Sequence, residues 1–151
     1  MKYKETSMLV KIVSFLMAVL FICPLNVWAL DSRASNYLDS YNAYPYAAGG
    51  GEVQIWFTVT ADDYMADIGS LSIEVYECST NSSNINDWDW CDSFTNGNTP
   101  SLLGHNKIYY SGHVSVDGTV GKYYKAYVCI YAGDGTNGDT RYFWTGAVKA
   151  T

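Results

Sequence analysis

The sequence predicts an all-β protein, a seven-stranded antiparallel β-sandwich, and three observations point to it. Tyr, Val, Ile, Thr and Trp dominate beyond residue 29, and these residues suit a pleated, half-buried surface. Glycine, asparagine, aspartate and proline recur at intervals of about 8–15 residues, as turns between short strands require. No stretch keeps a helical period for more than two turns, whereas several alternate apolar and polar residues cleanly. Seven short antiparallel strands in one domain favour two sheets packed face to face.

Arg33 to Tyr46 is the first expected strand, weakened or ended near Pro45 because proline cannot donate to a ladder. Gly49-Gly50-Gly51 is a flexible break. Glu52 to Ala61 is the clearest strand, with Val53, Ile55, Phe57 and Val59 inward and Gln54, Trp56, Thr58 and Thr60 outward. Asp62 to Ser70 is expected to be a connection, with room for one helical turn, ending at Gly69. Leu71 to Cys78 alternates again, placing Leu71, Ile73 and Val75 on one face. Polar Ser79 to Asn86 reads as a loop, and Asp87 to Thr95 as a strand with Trp88, Trp90 and Phe94 on one side. Asn96 to Asn106 is a long connection containing Pro100 and Gly104. Lys107 to Val116 is a strand, and Asp117-Gly118 turns it towards Gly121 to Ala132. Gly133 to Asp139 is a hairpin loop, and Thr140 to Lys149 is the last strand.

The first 29 residues follow a different logic. Lys2, Lys4 and Lys11 precede an apolar run from Ile12 to Cys23, and Val27-Trp28-Ala29 offers a small residue at a cleavage point. That is the pattern of a secretory signal peptide, and the run is shorter than the roughly 20 apolar residues of a membrane span. The expectation is therefore a signal peptide at 1–29 and one domain at 30–151, secreted and extracellular, with no integral membrane segment after cleavage. Six Lys+Arg against 14 Asp+Glu then remain, and 6 − 14 gives a formal charge of −8. Such a surface disfavours nucleic acid and anionic membranes as partners.

Gly121 to Ala132, GKYYKAYVCIYA, has two distinct faces at strand spacing. Tyr124, Ala126, Val128 and Ile130 form an apolar face, and Tyr123, Lys125, Tyr127, Cys129 and Tyr131 form a tyrosine-rich one. The spacing of Tyr124-Lys125-Ala126-Tyr127-Val128 resembles the sixth strand of an immunoglobulin-type domain. There a tyrosine two residues before the usual cysteine position bonds back to backbone, as a tyrosine corner. Ala126 stands at that cysteine position, and Val53 to Val59 holds no cysteine, so the resemblance is to fibronectin type III or bacterial immunoglobulin-like sandwiches without an intersheet disulfide. Asp67-Ile68-Gly69-Ser70-Leu71-Ser72-Ile73-Glu74-Val75-Tyr76-Glu77 and SGHVSVDGTVGKYYKAYV together also resemble a group of small exported proteins of Gram-positive bacteria. That resemblance implies a fold and an exported location, and it brings no catalytic residues.

Cys78 and Cys91 flank one polar connection, and pairing them would close a short loop, stabilising by roughly 3 kcal/mol on the chain-entropy argument. A Cys78–Cys91 disulfide is thus expected, leaving Cys129 as a half-buried thiol or a site of pairing between chains. No cofactor is expected, and no metal, because three cysteines and two histidines show no ligand spacing. His105 lies in a turn-like stretch and His113 alternates outward with Tyr109, Ser111 and Ser115; neither stands in a catalytic signature. Asp87-Trp88-Asp89-Trp90 would put acids and indoles on opposite faces of a strand, either as a sugar-binding platform or as core and edge filling. Asp134, Asn137 and Asp139 carry oxygens at i, i+3 and i+5, but calcium takes about six to eight and the EF-hand spacing with its distal glutamate is missing. Asp, Asn and Gly are also what a tight hairpin turn requires.

The aromatic residues are the remaining signal. Thirteen tyrosines, four tryptophans and three phenylalanines follow residue 29, more than core faces absorb. The expected function is a non-enzymatic binding or adhesion module presenting a tyrosine-rich sheet face to a protein or glycan. Its binding residues would be Tyr123, Tyr127, Tyr131, Tyr109, Trp56, Trp88 and Trp90. A structural or assembly subunit, built through exposed edge strands or Cys129 as a homo-oligomer, is the alternative. A small hydrolase using Asp87 and Asp89, or a secreted toxin, stands behind both.

Overall fold

One strand of 27 residues organises the domain. The computed structural model describes residues 35–151, so the expected signal peptide lies outside the described residues. The strands are β1 (Leu38–Gly49), β2 (Glu52–Cys78), β3 (Asp89–Thr95), β4 (Leu103–Asp117), β5 (Tyr123–Gly133), β6 (Gly138–Trp144) and β7 (Val148–Lys149). Single 3-10 turns at Ile85–Asp87 and Pro100–Leu102 precede β3 and β4. Every pairing is antiparallel, and the seven strands form one sheet curled into a half-barrel.

The expected all-β class and seven antiparallel strands are present, but the strands are composed differently. Glu52 to Ala61 and Leu71 to Cys78 are one strand, because Asp62 to Ser70 is extended rather than a connection. The acidic pair Asp62 and Asp63 is exposed where β2 bulges: pairing with β4 steps from Thr60↔Tyr109 to Met65↔Lys107. A bulge bends its strand without ending it. The expected last strand, in turn, is two: β6 pairs with β5 at 127–133, and β7 pairs at Tyr123 and Tyr124. Two separate facing sheets are therefore not confirmed, since β2 carries hydrogen bonds through the bend.

The first half of β2 lies between β1 and β4, and the second half between β5 and β3. Curling brings the apolar positions of both halves to one side. Val53, Ile55, Phe57 and Val59 share a core with Ile73 and Val75, and with Tyr124, Ala126, Val128 and Ile130 of β5. Burying each large aliphatic or phenylalanine side chain stabilises by about 1.5–3 kcal/mol. The two ends of the curl meet where the Tyr41 ring of β1 lies 5.3 Å from Phe143 of β6. At the bend, Gly69 has φ +147° and a Cβ there would run into the Leu102 carbonyl, so glycine lets the 3-10 turn close over β2.

Tyr124 ties the β4–β5 turn to β2. Its ring is buried, its hydroxyl accepts from the Thr119 amide at 2.8 Å, and it donates to Glu77 Oε2 at 2.8 Å. The expected bond back to upstream backbone is thus made, with a carboxylate as second partner. Lys122 Nζ donates to the other oxygen, Glu77 Oε1, at 2.5 Å. This lysine bond holds the Glu77 carboxyl below its usual range.

Replacing Tyr124 with Phe keeps the ring and removes both bonds. Tyr124→Phe is expected to cost about 1.5–3 kcal/mol in urea unfolding, the range for hydrogen bonds to charged groups. Because the folded Glu77 pKa is lowered from 4.5, its contribution is present above pH 4.5 and is lost as pH falls through the lowered value. Glu77→Gln should therefore flatten the acid side of the stability profile, read from urea midpoints at decreasing pH.

Candidate functional site

Strand alternation sends every second side chain away from the core, and the bent sheet divides that outward surface between its two halves. On the half formed by β3, the end of β2, β5 and β6, register aligns aromatic residues across strands. Trp90, Tyr76 and Lys125 stand in one row, and Ser93, Glu74, Tyr127 and Trp144 in the next. The Trp144 ring lies 5.0 Å from both Tyr76 and Tyr127, and Tyr127 stacks on Tyr142 at 6.0 Å. Lys125 Nζ sits 4.1 Å from the Trp88 ring and 4.9 Å from Trp144, and burial pulls its pKa down. These are cation–π distances, so this ammonium is held between two indoles.

The expected binding residues separate into two groups. Tyr123, Tyr127 and Tyr131 do face outward, but each is half-buried, Tyr127 beneath the β6 rings and Tyr131 against Gly133 and Gly138. Trp88 does not lie in a strand. It caps the Ile85–Asp87 turn, donates from Nε1 to the Ser82 carbonyl at 3.0 Å and is buried. Trp90 is 60% exposed and Tyr109 54% exposed. Asp87 accepts from Ser82 Oγ and Asn84 Nδ2, holding its own loop closed.

The other outward half is built from β1, the start of β2 and β4. Here Tyr44, Trp56 and His113 stand in one cross-strand row, and Tyr46, Gln54 and Ser115 in the next. Trp56 stacks on His113 at 4.3 Å and donates from Nε1 to Gln54 Oε1 at 3.0 Å. Gln54 Nε2 donates to Glu52 Oε1 at 2.9 Å, and Ser115 Oγ donates to the same oxygen at 2.8 Å. Those two bonds hold the Glu52 carboxyl below its usual range. Sequence reasoning found Trp56 but missed Tyr44, Tyr46, Tyr142 and Trp144. The signal was present: Tyr44 with Tyr46, and Tyr142 with Trp144, each stand two apart, on one face of a strand.

The Cys78–Cys91 disulfide is not formed: both are free thiols, as is Cys129. The register explains this. Val75 pairs with Asp92 and Tyr76 with Trp90, so Cys91 is the unpaired residue of a bulge and packs against the core. Cys78 has the outward parity of Tyr76, near Lys125, with Sγ 3.9 Å from Thr80 Oγ1. Burial pushes the Cys91 thiol up to about 11. Cys129 is only 2% exposed and stands opposite Tyr142 in the β5–β6 ladder, which leaves no accessible sulfur for pairing between chains.

The hairpin carboxylates are engaged in backbone chemistry. Asp134 Oδ1 accepts from the Thr136 and Asn137 amides at 2.8 Å, and Asp139 Oδ2 accepts from Ser35 Oγ and the Asn36 amide. Among the described residues, no group of three or more His, Cys, Asp or Glu side chains is placed to hold a metal ion. His105 Nδ1 lies 2.6 Å from Asp67 Oδ1 on the exposed side of the bend. Comparison with protein-family models and with curated proteins finds no match to this chain.

The thiol geometry sets an order of reactivity. In the native protein at about pH 8, Cys91 and Cys129 are expected to react with a thiol reagent at least ten-fold more slowly than after unfolding in urea. Peptide mapping by mass spectrometry reads each site. A Cys78–Cys91 bridge would instead leave both unlabelled even when unfolded.

Proposed function

We propose that the domain is an exported, non-enzymatic binding or adhesion module that presents outward-facing aromatic residues to a protein or glycan ligand. One observation carries this reading: the core is filled largely by aliphatic side chains, yet Trp90, Tyr142, Tyr109 and Tyr46 remain more than half exposed. Tyrosine and tryptophan combine large contact area with little side-chain entropy to lose, which suits them to recognition. Of the two carboxylates the sequence offers for hydrolysis, Asp87 is engaged in closing its own loop, which supports it too. The charged N-terminal segment with its apolar run supports export, and the Tyr124 bond to Thr119 supports the immunoglobulin-like resemblance.

An assembly subunit is the second reading, and one feature favours it: β4 pairs only with β2, leaving a 15-residue strand with one unpaired edge among the described residues. Such edges template strand addition. A strict monomer by light scattering at high concentration would remove that reading.

The binding reading is tested by applying the labelled protein to glycan and extracellular-protein arrays. Capture of a ligand is expected, with loss of about ten-fold or more on alanine substitution of outward aromatics in one of the two halves. Capture that survives Tyr46→Ala, Tyr109→Ala, Trp90→Ala and Tyr142→Ala alike would overturn it.

A further inference from the structure

The β1–β2–β4 half holds a cleft of about 230 Å³ lined by Tyr44, Tyr46 and Trp56. It is smaller than the roughly 300 Å³ at which sites for drug-sized ligands begin, and suits one ring rather than a folded surface. Tyr44 lies directly opposite Trp56, and Tyr46 opposite Gln54. The backbones that carry these residues therefore stand about 5 Å apart across the strands, and Tyr44 and Tyr46 are about 7 Å apart along β1. Tyr44 and Tyr46 are both exposed, and among the described residues neither makes a ring–ring contact. Their exposure is thus not offset by the cross-strand stacking that covers Tyr127.

Trp56 is fixed in place, between His113 on its face and Gln54 at its nitrogen. The same chain of bonds arranges polar groups beside the rings. Glu52 is a carboxylate at neutral pH and uses only Oε1 for Gln54 and Ser115, so Oε2 has no hydrogen-bond partner among the described residues. Gln54 spends one amide hydrogen on Glu52 and keeps the other. The result is a group of three aromatic side chains with the Gln54 amide bonded to one of them and the Glu52 carboxylate bonded to that amide.

Three ligand chemistries can be weighed against that arrangement. A purely apolar ligand would cover the rings but strand the carboxylate and amide, which is costly when they are desolvated. A phosphate or nucleic acid would meet Glu52 with no lysine or arginine lining the cleft. A protein partner needs about 800 Å² on each side, far more than three rings supply. A pyranose satisfies each demand, because its C–H faces are apolar and its hydroxyls both donate and accept around the rim.

Resting on the binding-module reading above, we propose that the Tyr44–Tyr46–Trp56 cleft binds one neutral pyranose unit of an extended glycan. The sugar ring stacks on the aromatic side chains, and its hydroxyls bond to Gln54 and Glu52. The carboxylate selects against uronic acids and sulfated sugars.

Calorimetry and tryptophan fluorescence on the full chain test this. The probes are hexasaccharides of β-1,4-glucose, β-1,4-N-acetylglucosamine and α-1,4-glucose, with polygalacturonate as the acidic arm. Saturable binding to at least one neutral hexasaccharide is expected, identifying which polymer supplies the ring. Tyr46→Ala should weaken it about ten-fold or more, and Trp56→Phe less than Trp56→Ala. Tyr64→Ala and Ile85→Ala, at exposed residues outside the cleft, should leave it unchanged. Tyr46 is exposed, so its truncation should leave the thermal midpoint intact and separates lost contact from lost fold. Binding to none of the neutral sugars, binding undiminished in Tyr46→Ala, or preference for polygalacturonate would each overturn the proposal. If the arrays capture a protein through Trp90 and Tyr142 while every sugar fails, the glycan site falls and the binding module stands. If arrays and sugars both fail, both readings fall.

Discussion

The domain depends on β2 continuing through its own bend. A strand that ended at Ala61 would leave β1 and β4 as one small sheet and β3, β5 and β6 as another, held together by side chains alone. Because backbone pairing runs on through Met65, Asp67 and Ile68 to β4, and from Asp67 to β5, the two halves share one ladder. The bulge absorbs the polar residues Asp62 to Tyr64 on the outside, while Met65 and Ile68 stay in the core. Gly69 then admits the Leu102 turn against the strand. The core, the two outward surfaces and the separation between them all follow from that constraint.

The two surfaces use aromatic residues differently. On the β3–β5–β6 side the rings lean on one another and on Lys125, and cross-strand contacts of this kind contribute about 0.2–1 kcal/mol each. Much of that aromatic area is therefore already engaged in holding the sheet. On the β1–β2–β4 side Trp56 is immobilised by polar neighbours while Tyr44 and Tyr46 stand free beside it. Immobilised rings with unspent contact area are what a ligand can use.

Much of this was legible in the chain because it depends on local rules. The alternation of Glu52 to Ala61 gave the correct inward and outward residues, and Tyr124 was recognisable from its spacing with Ala126 and Val128. What was not legible depends on register. Asp62-Asp63 reads as a turn in any local window, and only pairing with Lys107 and Tyr109 makes it a bulge. Cys78 and Cys91 look like partners across a loop until one extra residue in β3 sends them to opposite faces. Tyr44 and Tyr46 were hidden by Pro45, which suggested a strand end. In fact β1 is an edge strand that continues through Pro45, opposite Ile55, to Gly49, and an edge tolerates a residue that cannot donate.

The ring array on the β6 side also has an optical consequence. Tyr76, Trp144, Tyr127 and Tyr142 are neighbouring chromophores held at fixed distances and tilts across three strands. Transition dipoles so arranged couple, and coupled aromatic transitions give circular dichroism bands that an isolated tyrosine or indole lacks. The native register of β2, β5 and β6 thus has its own spectroscopic signature. A slip of one residue would send these rings to the other face and extinguish it, even if the strand content were unchanged.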